Sequence, residues 1–227
     1  MRRRAFTLIE VLVVLSMVGL VLTTAFLVFR MGSRGFQRAV NKTGTLGELH
    51  RVTRAFQRDI KLTHFYSAAA HNRTVSVSQG TVDRDGLAIA GLSDWRDPDR
   101  FEGGTGLPKW DRWVLFYATR EESGRLVRLE IARNRPSPGN WYPLKPFSNL
   151  PALMVQKPVE LEPALRVGVL SQSVRAFSVE LEPSRRLVKL ELKLADQGGK
   201  RMTSEQKVEG VLETDFEISP MNSYPEL

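Results

Sequence analysis

The hydrophobic pattern changes period twice along this chain. From Phe6 to Phe29 the residues are apolar except for Thr7, Glu10, Ser16, Thr23 and Thr24. About 24 helical residues at about 1.5 Å each reach about 36 Å, enough to cross a bilayer. No proline interrupts the run, and Gly19 is its only internal glycine. Apolar positions then thin to Val40, Leu46, Leu49, Val52, Phe56 and Ile60. Steps of three and four put these on one helical face, which predicts an amphipathic helix over about 35–62. Arg51, Arg54, Gln57, Arg58 and Lys61 fall off that face. Between the two patterns lie Gly32, Ser33 and Gly35. Each glycine weakens a helix by roughly 1 kcal/mol, so a flexible joint and a continuous helix that tolerates them both fit. Arg30, Arg34 and Arg38 share a stripe at i, i+4 spacing.

After residue 62 the period shortens to two. Strands are predicted at 74–78 (TVSVS), 87–90, 113–118 (WVLFYA), 126–132 (LVRLEIA), 174–181, 187–194 (LVKLELKL) and 208–218. Turn residues bound them: Glu122-Ser123-Gly124, Pro183-Ser184 and Gln197-Gly198-Gly199. Strands apolar on one face form an antiparallel sheet, and a helix placed before them covers that face. The predicted fold is α+β: a long N-terminal helix, membrane-spanning and then amphipathic, packed on an antiparallel β-sheet domain. Its segments are 6–29, 30–62 and 63–227.

Composition narrows the chemistry. The chain has no cysteine, so thiolate metal sites, cysteine nucleophiles and disulfides are excluded. Net charge is +8, and Arg2, Arg3 and Arg4 supply three of those positives. The remaining excess is spread out and by itself points weakly to nucleic acid. No GxSxG, no HExxH and no recognisable carboxylate pair is present, so the expectation is a non-catalytic protein without a cofactor. Two loops stand out, 93–111, rich in Asp, Gly and Pro, and 134–163, with seven prolines. Asp94, Asp97, Asp99 and Glu102 are weak calcium candidates; their spacing matches no EF-hand, and Arg96 and Arg100 interleave to pair with them. Gly103-Gly104-Thr105-Gly106 lacks the lysine of a phosphate loop. Trp95, Trp110, Trp113 and Trp141 fit core or loop packing better than stacking on single-stranded DNA. His50 and His64 read as ordinary surface or boundary residues.

Glu10 is the anomaly. A carboxylate inside a membrane span costs several kcal/mol, which an anchor alone would not require. Either it sits near enough to the interface to snorkel, or it has a partner. The run before it, Arg-Arg-Arg-Ala-Phe-Thr-Leu-Ile-Glu-Val-Leu-Val-Val-Leu, resembles the N-terminal signal of type IV pilins and type II secretion pseudopilins. A cleaved secretory signal would have a shorter apolar core and a distal small-residue site. A plain signal anchor fits the length and leaves Glu10 unexplained.

The resemblance implies that residues 1–5 are a basic leader removed by a prepilin peptidase. The cut falls between Ala5 and Phe6, and Phe6 becomes the N-methylated terminus. Ala5 replaces the glycine that the family prefers, so slower processing is expected. The new Phe6 amine and Glu10 then supply opposite charges for helix-to-helix register during assembly. Implied partners are other pilins or pseudopilins, the prepilin peptidase, the inner membrane and its assembly platform, with nucleic acid a secondary expectation. The three arginines keep the N-terminus cytoplasmic and place the domain in the periplasm before filament entry. Chain length, the lack of cysteine, and 46–60 (LGELHRVTRAFQRDI) resemble the larger minor subunits, the J-type pseudopilin and the W-type minor pilin. A pilus subunit, a secretion pseudopilin and a DNA-uptake pilin all remain open, as does an anchored periplasmic protein outside any filament.

Overall fold

A computed structural model describes residues 8–78, 80–133, 146–155, 164–195 and 211–222. The chain divides into two compact units, Met1–Thr43 and Gly44–Leu227. Helix α1, Leu8–Leu62, supplies the described part of the first unit and the opening of the second. Helical structure continues through Gly32 and Gly35, so the continuous helix is the reading observed.

In the first unit, Leu8–Phe36 has a mean hydropathy of 2.7 and is long and apolar enough to cross a membrane. Its side chains are exposed in the isolated chain, Leu12, Leu15, Leu20 and Leu22 among them. The hydroxyls in this span turn back onto their own helix. Ser16 Oγ donates to Leu12 O at 3.0 Å, Thr23 Oγ1 to Gly19 O at 2.8 Å, and Thr24 Oγ1 to Leu20 O at 3.0 Å. Each polar group is thereby satisfied within the helix, as a hydrocarbon surrounding demands.

In the second unit the strands run β1 (Ala69–His71), β2 (Thr74–Val77), β3 (Gly80–Asp83), β4 (Gly86–Gly91), β5 (Arg112–Ala118), β6 (Gly124–Ala132), β7 (Ala164–Glu182), β8 (Leu187–Ala195) and β9 (Val211–Ile218). A seven-stranded sheet has the order β1-β4-β5-β6-β7-β8-β9, antiparallel at every pair. β2 and β3 form a separate hairpin. The fold is therefore α+β, a long apolar N-terminal helix followed by an antiparallel sheet.

Burial explains why the strands read differently. Val52, Phe56 and Ile60, four apart on α1, pack on Leu87, Phe116, Leu126, Phe177, Leu190 and Leu192 of one sheet face. Phe56 sits among Phe116 (5.0 Å, edge-on), Phe177 (5.8 Å, stacked) and Phe216 (5.9 Å, edge-on). The opposite face of β4–β6 buries Ala88, Leu115, Tyr117, Val127 and Leu129 under Trp110 and a short helix α2, Leu150–Leu153, followed by Met154. Those strands are covered on both sides, hence the unbroken apolar run of β5. β8 is covered on one side and alternates.

Three elements were not expected: β1, β3, and α2 inside the loop 134–163. β1 has three residues, β3 contains one large apolar side chain, Val82, and α2 carries a proline in its first turn, so none has a readable period. β7 starts ten residues ahead of its expected start at 174, because Gly168, Ser171 and Ser173 dilute its alternation. Its first half pairs with β6 and its second with β8, and register shifts at Gly124/Leu126 and Val174/Ala176 mark the handover. The turn at 197–199, the positions 208–210 and the loop segments 134–145 and 156–163 lie outside the described residues.

α1 ends where its last carbonyls find donors from the end of the chain. Met221 N donates to Lys61 O at 2.8 Å, and Asn222 Nδ2 to Leu62 O at 2.6 Å.

Candidate assembly site and charged surfaces

Glu10 lies in the first turn of α1, exposed within the apolar span. A carboxylate at a helix N-terminus is favoured by the helix dipole. Ala5 and Phe6 lie outside the described residues. In sequence, Phe6 precedes Glu10 by one helical turn.

Further along α1 the charged positions are mostly cationic. From Arg30 to Lys61 the helix carries Arg34, Arg38, Lys42, Arg51, Arg54 and Arg58 besides those two end residues, against only Glu48 and Asp59. Both acids are committed elsewhere. Glu48 Oε2 accepts from Ser171 Oγ at 2.6 Å, Ser173 Oγ at 2.9 Å and Gln172 N at 3.3 Å, all where the pairing of β7 passes from β6 to β8. Asp59 pairs with Arg58 at 2.8 Å and with Arg128 of β6 at 2.6 Å. Arg128 also holds Glu130, which Arg112 approaches from the other side. Burial opposes ionisation of the Glu130 carboxyl, but the two guanidiniums outweigh it and leave its pKa below the ordinary value.

Four carboxylates of 93–111, those of Asp94, Asp97, Glu102 and Asp111, are occupied with local structure. Asp94 accepts from Arg96 N at 2.9 Å; Asp97 accepts from Asp99 N at 3.0 Å and pairs with Arg100 at 3.3 Å. Glu102 accepts from Thr105 Oγ1 at 2.6 Å. Arg100 reaches Asp111 at 3.0 Å, and Asp111 in turn accepts from Ser93 N at 2.9 Å. Asp94, Asp97, Asp99 and Glu102 do not converge on a common point. Among the described residues the carboxylates that do converge are Glu191, Glu213 and Asp215, on β8 and β9. Lys193 already sits on that group, 2.7 Å from Glu191 and 3.0 Å from Glu213.

The described tryptophans serve packing. Trp110 is fully buried with Trp95 edge-on at 5.8 Å, and Trp113 is buried against Phe147 at 5.4 Å. Trp141 lies outside the described residues. His50 is exposed, as expected. His64 is not a surface residue: it is buried beside Tyr66 at 5.5 Å, and burial with the nearby Arg186 charge lowers its pKa.

Besides Glu130, sequence reasoning missed two more buried charges. Asp85 ties three segments together, accepting from Arg73 N at 2.8 Å and Val179 N at 2.9 Å while its own N donates to Phe177 O at 2.9 Å. Arg84 is buried beside Gly124, where a Cβ would lie 1.1 Å from Nη1. Burial, with the Arg73 charge adding to it, pushes the Arg84 guanidinium down to about 10. The Arg-Asp dipeptide between a hairpin and an apolar strand was the available signal, and it reads like any solvated turn.

No curated protein and no solved structure matches the chain. Residues 1–26 match the family model of the prokaryotic N-terminal methylation motif, and that match supports a type IV pilin-like protein with a prepilin-type N-terminus.

Proposed function

We propose that this protein is a minor pilin, a structural subunit that primes or caps assembly of a type IV pilus. The observation that carries the proposal is the N-terminal methylation motif over residues 1–26. One apolar helix followed by an antiparallel sheet accords with it. The role is assembly rather than chemistry. The subunit waits in the inner membrane, is cut between Ala5 and Phe6, and is methylated on Phe6. Cutting creates an amine one helical turn from Glu10, and methylation keeps its charge. A carboxylate in hydrocarbon is relieved by an amine, so docking of an incoming helix is favoured where Phe6 of one subunit meets Glu10 of another. The chain's length and its lack of cysteine support a minor rather than a major subunit.

Mass spectrometry of the mature protein tests the cut. The expected terminus is N-methyl-Phe6; a retained Met1 overturns the reading. Glu10→Ala is expected to leave membrane insertion intact and to reduce incorporation into filaments at least tenfold, measured by immunoblot of sheared filaments. Unchanged incorporation would remove Glu10 from the register role.

A further inference from the structure

A cleft of about 880 Å³ opens between the second-unit part of α1 and the sheet at β6 and β7. Its charged lining is Arg51, Arg54 and Arg58 from α1, Arg128 from β6 and Arg166 from β7, with His50 at the side. Arg58 and Arg128 share Asp59. Arg51, Arg54 and Arg166 are exposed and meet no carboxylate among the described residues. Three guanidiniums held at one concave surface, each with its fork of donors, present an electrostatic template for carboxylates.

The same chain carries such a surface elsewhere. Strand alternation turns Glu180, Glu191, Glu213, Asp215 and Glu217 away from the buried face of β7–β9. Register places Glu180 beside Lys189 beside Glu217, and Glu191 beside Asp215. Lys189 and Lys193 answer only part of this charge. We propose that the arginine cleft docks the acidic β7–β9 face of a second copy of this chain. Because the two surfaces are different patches, the contact is heterologous, and it adds copies head to tail rather than closing a symmetric pair. Polyanionic nucleic acid fits less well. No aromatic side chain lines the cleft to stack a base, and the acidic face of the same unit repels phosphates.

The inference rests on the filament-subunit reading, and its test separates the two. The native chain has no cysteine, so single introduced thiols are unique. Full-length Arg54→Cys and Asp215→Cys proteins, differently tagged, are mixed in detergent micelles and treated with a short bis-maleimide. A mixed-tag cross-link is expected, reduced at least fivefold when the Arg54→Cys partner also carries Arg51→Glu. In a separate pull-down, differently tagged Arg51→Glu/Arg54→Glu copies are expected to lose at least tenfold in capture of one another. They are expected to regain it when the same copies also carry Glu213→Arg/Asp215→Arg. Capture unchanged by reversal, or not restored by the swap, overturns the inference. Retardation of labelled duplex DNA that the arginine reversals abolish, with self-capture unchanged, also overturns it. Cleavage at Phe6 is scored on the same preparations. Failure of docking with cleavage intact removes this inference alone, whereas an uncut precursor removes the filament reading.

Discussion

Glu130 points from a central strand between two guanidiniums, and this gives it a signed pH dependence. Its folded-state pKa lies below the ordinary 4.5. A lowered pKa contributes stability that is complete above the unfolded value and is lost as pH falls through the folded one. Glu130→Gln is therefore expected to cost about 2 kcal/mol near neutral pH. That deficit should shrink as the pH drops below 4.5, where the wild-type carboxylate protonates as well. Unfolding of the full-length protein in detergent from pH 7 to pH 3 would show it. A constant gap across that range would mean that shape, not charge, holds the site. At this scale the sequence was only partly legible. Glu10 stood out because a charge in an apolar run is improbable by chance. Glu130, Arg84 and Asp85 did not, because burial of a charge depends on strands that come from distant parts of the chain.

The elements were more legible, to the degree that each is covered by something. α1 and β5 announce themselves, one by its unbroken apolar run, the other by burial on both faces. β8 alternates because one face is buried and one is wet. The first half of β7 was missed for a related reason. Leu165, Val167 and Val169 do alternate, but they remain exposed, and Gly168 breaks the inner row. An element held by hydrogen bonding to β6 rather than by burial leaves little trace in composition. Phe56 is where helix and sheet meet, with three aromatic rings within 5.9 Å. Phe56→Ala should destabilise the Gly44–Leu227 unit by about 3–5 kcal/mol. Leu165→Ser should change stability by less than about 0.5 kcal/mol, being a surface change. Thermal melts of the two variants compare them directly; equal losses would mean that the buried face is not organised around Phe56.

For the whole molecule, charge segregation is the property no local reading captures. The net charge of +8 looks diffuse along the sequence. Folding gathers cations along α1 and carboxylates on the outer face of β7–β9. Between exposed charges the attraction is screened by salt, over about 8 Å at physiological ionic strength. Self-capture of the full-length protein is thus expected to fall several-fold between 50 and 500 mM salt. An association that strengthens with salt would point to an apolar contact instead. Fold class was readable from the change of period alone. The arginine cleft was not, because Arg166 and Arg51 are 115 positions apart and become neighbours only when β7 lies beside β6 and under α1.

The Glu48 carboxylate has a mechanical consequence. Among the described residues Thr45 is the first buried on α1, and Glu48 bonds the helix to Ser171, Gln172 and Ser173 of β7. Tension drawn along α1 from its N-terminal end enters the sheet at that point. Ser171, Gln172 and Ser173 then share that force one turn ahead of Val52 and two ahead of Phe56. Rupture there would let one turn of α1 peel while the sheet stays whole, a built-in slack that Glu48→Ala would lengthen.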